Sequence, residues 1–333
     1  MKKEIFGFQN GNAVELYTLE NEKASVSIMT RGATVVDFTV SGTSIVGGFD
    51  TFDEYLQDDS HQGAIIGRVA NRVAKAQFEM DGKVYHLPAN NGVNCLHGGD
   101  GFDHRIWNVE SVGEDSIVLS YVSADGEEGF PNALAVKVTY TLIGAALKID
   151  YEATPDGKTP IALTNHAYFN LDGFGKDVLN HVAVIHADKI TEVDDALIPN
   201  GNHPDVKGTP FDFNAPHTIG ERIGGAFTGY DHNYVLNRAV NSDKFGKVLT
   251  LCAAVNNGKL QMNVYTDQPG VQFYTANFLG GKPDFKGGIS RVKHGAFCLE
   301  TQTEPDCVNH GIGFYDKGQT YRHTTVYEVE KIG

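Results

Sequence analysis

Hydrophobic side chains recur along this chain with a period of two, and long windows with helical periodicity are nearly absent. In "VKVTYTLIGAALKIDYEA" (136–153), Val136, Val138, Tyr140 and Leu142 alternate with Lys137, Thr139 and Thr141. The run turns near Gly144 and resumes with Leu147, Ile149 and Tyr151. Such alternation buries one face of a strand and leaves the other polar. "FEMDGKVYHL" (78–87) holds Asp81-Gly82 between two short strands, and "LTLCAAVNNGKLQMNVYT" (249–266) turns at Asn257-Gly258. Both pairs suit the positive φ of tight hairpin turns. Further strands are expected at 24–29, 34–40, 116–123, 181–187, 271–278, 296–301 and 323–329, with short helices at 51–57 and 219–223. Many short antiparallel strands separated by Gly, Asn and Asp predict an all-β fold, a large antiparallel sandwich or barrel. No repeat, low-complexity run or linker interrupts it, so one domain spanning 1–333 is expected.

One stretch departs from simple patterning. "LTNHAYFNL" (163–171) reads as a strand, with Leu163, Asn165, Ala167, Phe169 and Leu171 on one face. Thr164, His166, Tyr168 and Asn170 fall on the other, which places an ionisable ring in a row of hydroxyl and amide groups.

Composition narrows the function classes. The formal net charge is −15, with 27 basic against 42 acidic residues. No dense Lys/Arg run is present, which argues against a nucleic-acid partner or an anionic membrane surface. "MKKEIFGFQNG" has no apolar segment behind its lysines, and no run approaches the ~18 apolar residues of a membrane span. Cys95, Cys252, Cys298 and Cys307 form no CxxC pair and read as reduced thiols of a cytoplasmic protein.

Familiar motifs are missing. There is no P-loop, no GxSxG elbow and no HxH or HExxH, while "GFGKDV" lacks the third glycine and the βαβ context of a dinucleotide fingerprint. Cys95-Leu96-His97 has no second pair at zinc-like spacing, so neither metal nor cofactor is expected. What remains is polar residues on strands or their ends: Arg68, Asn71 and Arg72 in "GRVANR", His97 in "CLHGG", His166, Asp231 and His232 in "GYDHNY", Asp267 and Gln268 in "TDQPG", and Glu300 in "AFCLETQ". Each residue type has an ordinary structural use. Glu300 is the hardest to read that way, because a carboxylate following Phe297-Cys298-Leu299 is costly to bury unless paired or used.

Taken in order, "GRVANRVAKAQFEMDGKVYHL…LHGG", "TNHAYFNL", "DHNYVL", "TDQPGVQFYTANF" and "CLETQ" resemble the aldose 1-epimerases, the galactose mutarotases. The resemblance runs from "TRGATVVDFTV" to "TTVYEV" and implies a large antiparallel β supersandwich. It implies Glu300 as general base, His166 as general acid and His97 as a catalytic sugar ligand near the ring oxygen. Asn71, Arg72, Tyr168, Asp231 and Gln268 would bind hydroxyls, and Phe278 would form an apolar wall. Two departures are visible. Ala167 stands where a small hydroxyl residue is usual, which removes one hydrogen bond near His166, and "GFPN" (129–132) replaces "GYPG".

The implied reaction suits these groups. Ring opening takes a proton from the C1 hydroxyl and gives one to the ring oxygen, so a carboxylate and an imidazole suffice. On this reading His166 is held cationic, its pKa raised beside Asp231 or Glu300. The expected partner is a monosaccharide, and the expected assembly a monomer or homodimer. Three rivals carry their own signatures. A hexose-6-phosphate epimerase on the same fold needs clustered basic residues for the phosphate, of which Arg68 and Arg72 are a start. A glycoside hydrolase needs two carboxylates flanking its bond, which leaves His97 and His166 unexplained. A non-catalytic sugar-binding module would leave anomer exchange at its spontaneous rate.

Overall fold

The computed structural model describes residues 1–226, 228–238 and 240–333. Period-two alternation becomes strands wherever it was strongest: Ala24–Met29, Thr34–Val40 and Ser116–Ser123 coincide with their expected spans. The hairpin Leu134–Ile143/Ala146–Pro155 pairs Ile143 with Ala146 across Gly144, whose φ is 60°. At the Asp81-Gly82 turn, of the same two-residue length, both residues take positive φ, 53° and 76°, and Met80 pairs with Lys83.

Three sheets carry the architecture. Lys2–Gln9, Asn12–Glu20, Ala24–Met29, Thr34–Val40 and Thr43–Ser44 form a five-stranded antiparallel meander. A ten-stranded sheet runs Asn108–Val112, Ser116–Ser123, Leu134–Ile143, Ala146–Pro155, Tyr321–Lys331, Leu260–Thr266, Leu249–Asn256, Val182–Ile185 and His217–Thr218, with Asn241–Ser242 also on Leu249–Asn256. Lys189–Ile190, Asp231–Val235, Gly270–Tyr274 and Cys298–Gln302 form a four-stranded sheet. A large apolar cluster includes side chains from Tyr17 to Val329 and draws on all three. The fold is all-β.

Among the described residues the α-helix is Phe52–Gln57, where Glu54 accepts hydrogen bonds from the Thr51 backbone N–H and hydroxyl at 2.8 and 2.9 Å. Its apolar side, Phe52 and Tyr55, is buried. The α-helix expected at 219–223 does not form: a 3-10 turn, Ile223–Gly225, begins on its last residue. Two glycines there favour a turn over sustained helix.

The stretch 163–171 is also not one strand. Thr164–Asn165 pairs with Ile65–Ile66, after which the backbone changes partners at almost every residue. His166 N–H donates to Ala64, Phe169 exchanges two bonds with Phe297, and Asn170 N–H donates to Ile45. The two-faced reading holds only in part. Leu163, Ala167, Phe169 and Leu171 join the core, but Asn165 and the opposite face are buried as well. Thr164 donates to the Thr301 carbonyl and Asn170 to Lys176 and Gly295, leaving His166 and Tyr168 to face a cleft.

Candidate active site

A cleft of about 740 Å³ opens over the four-stranded sheet and the loops beside it, a volume suited to a small polar ligand. Its floor is built by cross-strand pairing. Glu300 on Cys298–Gln302 lies opposite Gln272 on Gly270–Tyr274, and Asp231 opens the neighbouring strand opposite Tyr274. Gln272 donates to Asp231 Oδ1 at 2.6 Å, and Arg72 reaches Asp231 Oδ2 at 3.9 Å. His166 Nε2 stands 3.8 Å from Glu300 Oε1, with both side chains almost wholly buried, and its ring stacks on Tyr168 at 5.0 Å.

The opposite wall is set by unusual backbone. Asn71 and His97 both take positive φ, 61° and 55°. The His97 N–H donates to the Asn71 carbonyl, and the Asn71 N–H donates to His97 Nδ1 at 3.2 Å. That second bond makes Nδ1 an acceptor, so the proton of a neutral His97 is on Nε2. Gly98 follows because a Cβ there would stand 2.4 Å from the Gly67 carbonyl oxygen. Asn71 Oδ1 also accepts from the Arg72 backbone and guanidinium at 2.8 and 3.3 Å, aiming Arg72 across the cleft.

Burial dominates the electrostatics. It pushes Glu300 well above the usual carboxylate range, and nearby Asp231 adds to the shift against Arg72. Asp231 is raised by burial too, partly offset by Arg72 and Gln272. His97 is pushed well down, and His166 falls to about 3, through burial first and then the positive charge of His61. This overturns the expectation of a cationic His166: desolvation outweighs its carboxylate neighbours. Burial keeps the Cys298 thiol protonated, and its sulfur lies 3.8 Å from His166 Nδ1. With the thiol protonated, Nδ1 can accept from Cys298, and a neutral His166 in that tautomer carries its proton on Nε2, toward Glu300.

His166, Cys298 and Glu300 place ligand-type atoms within 4.8 Å of one another. They make a poor metal site. Cys298 faces Nδ1 and Glu300 faces Nε2 of the same ring, and one ion takes one nitrogen.

Comparison with known proteins follows the same lines. The aldose 1-epimerase family profile matches residues 15–328. The chain belongs to the aldose 1-epimerase family. It is 42% identical to rat galactose mutarotase over 98% of this chain and 97% of that protein. It is 37% identical to the aldose 1-epimerase of Haemophilus influenzae, over 93% and 92%. A GalM/aldose epimerase homologue from C. elegans superposes with a TM-score of 0.88 at 28% identity, covering 96% of this chain and all of that one. The activity is that of an aldose 1-epimerase, an isomerase.

Within the enzyme, the cleft gathers Asn71, Arg72, His97, His166, Tyr168, Asp231 and Glu300, with Phe278 at its rim, 77% exposed. Gln268 is elsewhere. It lies in the core, donating to the Tyr321 hydroxyl at 2.7 Å and to the Leu163 carbonyl. The glutamine joined to the site is Gln272, four residues on. Val271 and Phe273 are apolar and alternate with Gln272 and Tyr274, so the period-two rule could have separated the faces. Asp267 and His232 are also structural. Asp267 binds Lys247, His323 and the Thr324 N–H, while His232 Nδ1 accepts from the Asp231 N–H. Arg68 is buried among Ser123, Ala124, Pro131 and Thr159, to which it makes five hydrogen bonds. Sequence reasoning missed Tyr274 and, more consequentially, His61 with Asp103, whose partnership spans 42 residues of chain.

Proposed function

We propose that the enzyme interconverts the α and β anomers of free hexoses such as galactose and glucose, with Glu300 as base and His166 as acid. The observation that carries this reading is the buried pair itself, His166 Nε2 and Glu300 Oε1 held 3.8 Å apart on the cleft floor. A carboxylate whose proton affinity is raised by burial and by Asp231 is a stronger base for reversible proton abstraction than an ordinary one. Glu300 takes the C1 hydroxyl proton, the C1–O5 bond breaks with its electron pair on O5, and O5 receives the proton of His166 Nε2. Rotation about C1–C2 presents the other aldehyde face, and the reverse transfers close the ring. Both residues end as they began, so the cycle needs neither metal nor cofactor.

Arg72 and Asp231, joined to one another and to Asn71 and Gln272, are placed to bind sugar hydroxyls. His97 offers Nε2–H beside His166, the ring centroids 5.3 Å apart. Tyr168 and Phe278 supply aromatic surface. The reading of the chain as one domain is supported by a core cluster with members from residue 17 to residue 329. Among the described residues no helix is long and apolar enough to cross a membrane. Four free cysteines fit the proposed cytoplasmic setting.

The rivals fare worse on geometry. With Arg68 consumed structurally, Arg72 tied to Asp231 and Asn71 and Arg291 tied to Asp58, the described lining leaves a phosphate Arg31 rather than a free arginine pair. Asp231 and Glu300 share one sheet through Gln272, whereas a hydrolase needs a carboxylate on each side of its bond. Polarimetry of freshly dissolved α-galactose, α-glucose and glucose 6-phosphate tests the proposal. Accelerated mutarotation of the free sugars is expected, and a rate matching the spontaneous one would refute it.

A further inference from the structure

Four histidines line the cleft, His61, His97, His104 and His166, and the reaction just described uses two. His61 Nδ1 lies 2.7 Å from Oδ2 of Asp103, a buried carboxylate on the Phe102–His104 turn. With Nδ1 committed to Asp103, its other nitrogen is left for the cleft. The His61 ring stands 4.6 Å from that of His97 and 5.9 Å from that of His166. It is thus an imidazole backed by a buried carboxylate and set against the acid side of the site.

The mechanism has need of a positive charge there. His166 is neutral, so giving its Nε2 proton to O5 leaves negative charge on its ring. Donation from the Cys298 thiol at Nδ1 relieves part of that charge. A cation fixed nearby would relieve more, in a buried site where such contacts are strong. Arg72 is engaged with Asp231 and Asn71.

We propose that His61, clamped by Asp103, is a positioning residue for the acid: a standing imidazolium whose charge makes neutral His166 able to release its Nε2 proton to the ring oxygen. His61 itself transfers nothing. Its proton stays between ring and carboxylate while the His166 proton moves to O5 and the C1 hydroxyl proton moves to Glu300. The inference deepens the epimerase reading and rests on it.

The surroundings of His61 agree. Asp58 and Asp59 come from its own loop, Asp103 and His104 from the turn below, and Arg31 from the turn between Ala24–Met29 and Thr34–Val40. Arg291, from the loop before Cys298–Gln302, is spent on Asp58 at 2.5 Å. Burial lowers the His61 pKa, but the hydrogen bond and charge of Asp103, helped by Asp58 and Asp59, outweigh it and leave the group raised. His97 and His166, pushed the other way, count the His61 charge among the causes.

The test is the pH dependence of kcat by polarimetry for the parent, His61→Phe, His61→Gln, Asp103→Asn and the Phe/Asn double variant. The parent should lose activity as pH rises through the His61 pKa. Both His61 variants should drop kcat by about 10²-fold with KM little changed, and should lack that alkaline limb. Asp103→Asn should move the limb to lower pH, and should add nothing in the His61→Phe background. Should His61→Phe fail to fold, His61→Gln and Asp103→Asn carry the comparison. A kcat within twofold of the parent and an unmoved limb in the His61 variants would overturn the proposal and leave the epimerase reading intact. A parent protein without mutarotase activity would overturn both.

Discussion

Replacing Glu300 by Gln should abolish turnover and stabilise the protein at once. The side chain is almost wholly buried, Oε2 has no hydrogen-bond partner, and the nearest charge of like sign is Asp231. Ionised Glu300 is therefore a cost to the native state that the amide does not bear. Its folded pKa is raised above the unfolded value, so the native state binds the extra proton. Wild-type stability is then unaffected at pH below about 4.5 and declines, relative to the amide variant, as pH rises through the folded pKa. Each tenfold gain in proton affinity on folding corresponds to about 1.4 kcal/mol. For a chain of 333 residues, an unfolding entropy of roughly 0.7 kcal/mol/K converts that into ~2 °C of Tm for each such factor of ten. Scanning calorimetry at pH 4 and pH 8 should show coincident Tm values at the first and a higher Tm for Glu300→Gln at the second. Polarimetry should show kcat reduced by at least about 10²-fold. Equal or lower Tm at pH 8 would refute the burial argument, and near-parental turnover would remove Glu300 from the chemistry.

The two glutamines should separate cleanly. Gln268→Ala should lower the denaturation midpoint by breaking its bonds to Tyr321 and Leu163 while leaving KM near parental. Gln272→Ala, which frees Asp231, should raise KM several-fold by polarimetry. Arg68→Met should cost about 3–5 kcal/mol in urea unfolding, since it strands buried acceptors at Ser123, Ala124, Pro131 and Thr159. An unchanged midpoint would show those groups finding other partners. Exhaustive chelation should leave the mutarotation rate unchanged, and recovery on adding Zn²⁺ after a loss would contradict the metal-free cycle.

Sheet content was legible because it is local: alternation and turn residues are properties of neighbours, so Ala24–Met29 and Thr34–Val40 could be read directly. His166 was legible as chemistry for the opposite reason, as an ionisable ring out of keeping with its row. Its protonation was not, because burial and the charge of His61 arrive from distant segments. The failure at 163–171 is similar. The sequence carries a strand pattern, but the partners that accept its backbone, Ala64, Ile45 and Phe297, lie in three different segments. Gln268 precedes the strand Gly270–Tyr274 and Gln272 lies inside it, and the pairing of Gln272 with Glu300 puts its side chain at the site.

The strand Tyr321–Lys331, near the end of the sequence, occupies the interior of the ten-stranded sheet, between Ala146–Pro155 and Leu260–Thr266. Until it is made, the sheet exists as two halves, each with a long unpaired edge. A chain emerging from the ribosome therefore cannot close this sheet progressively. It must hold two adhesive edges apart until residues Tyr321–Lys331 are free. Any chain shortened before Tyr321 would keep both edges permanently, and its fate should be association with its own kind rather than a smaller version of this fold.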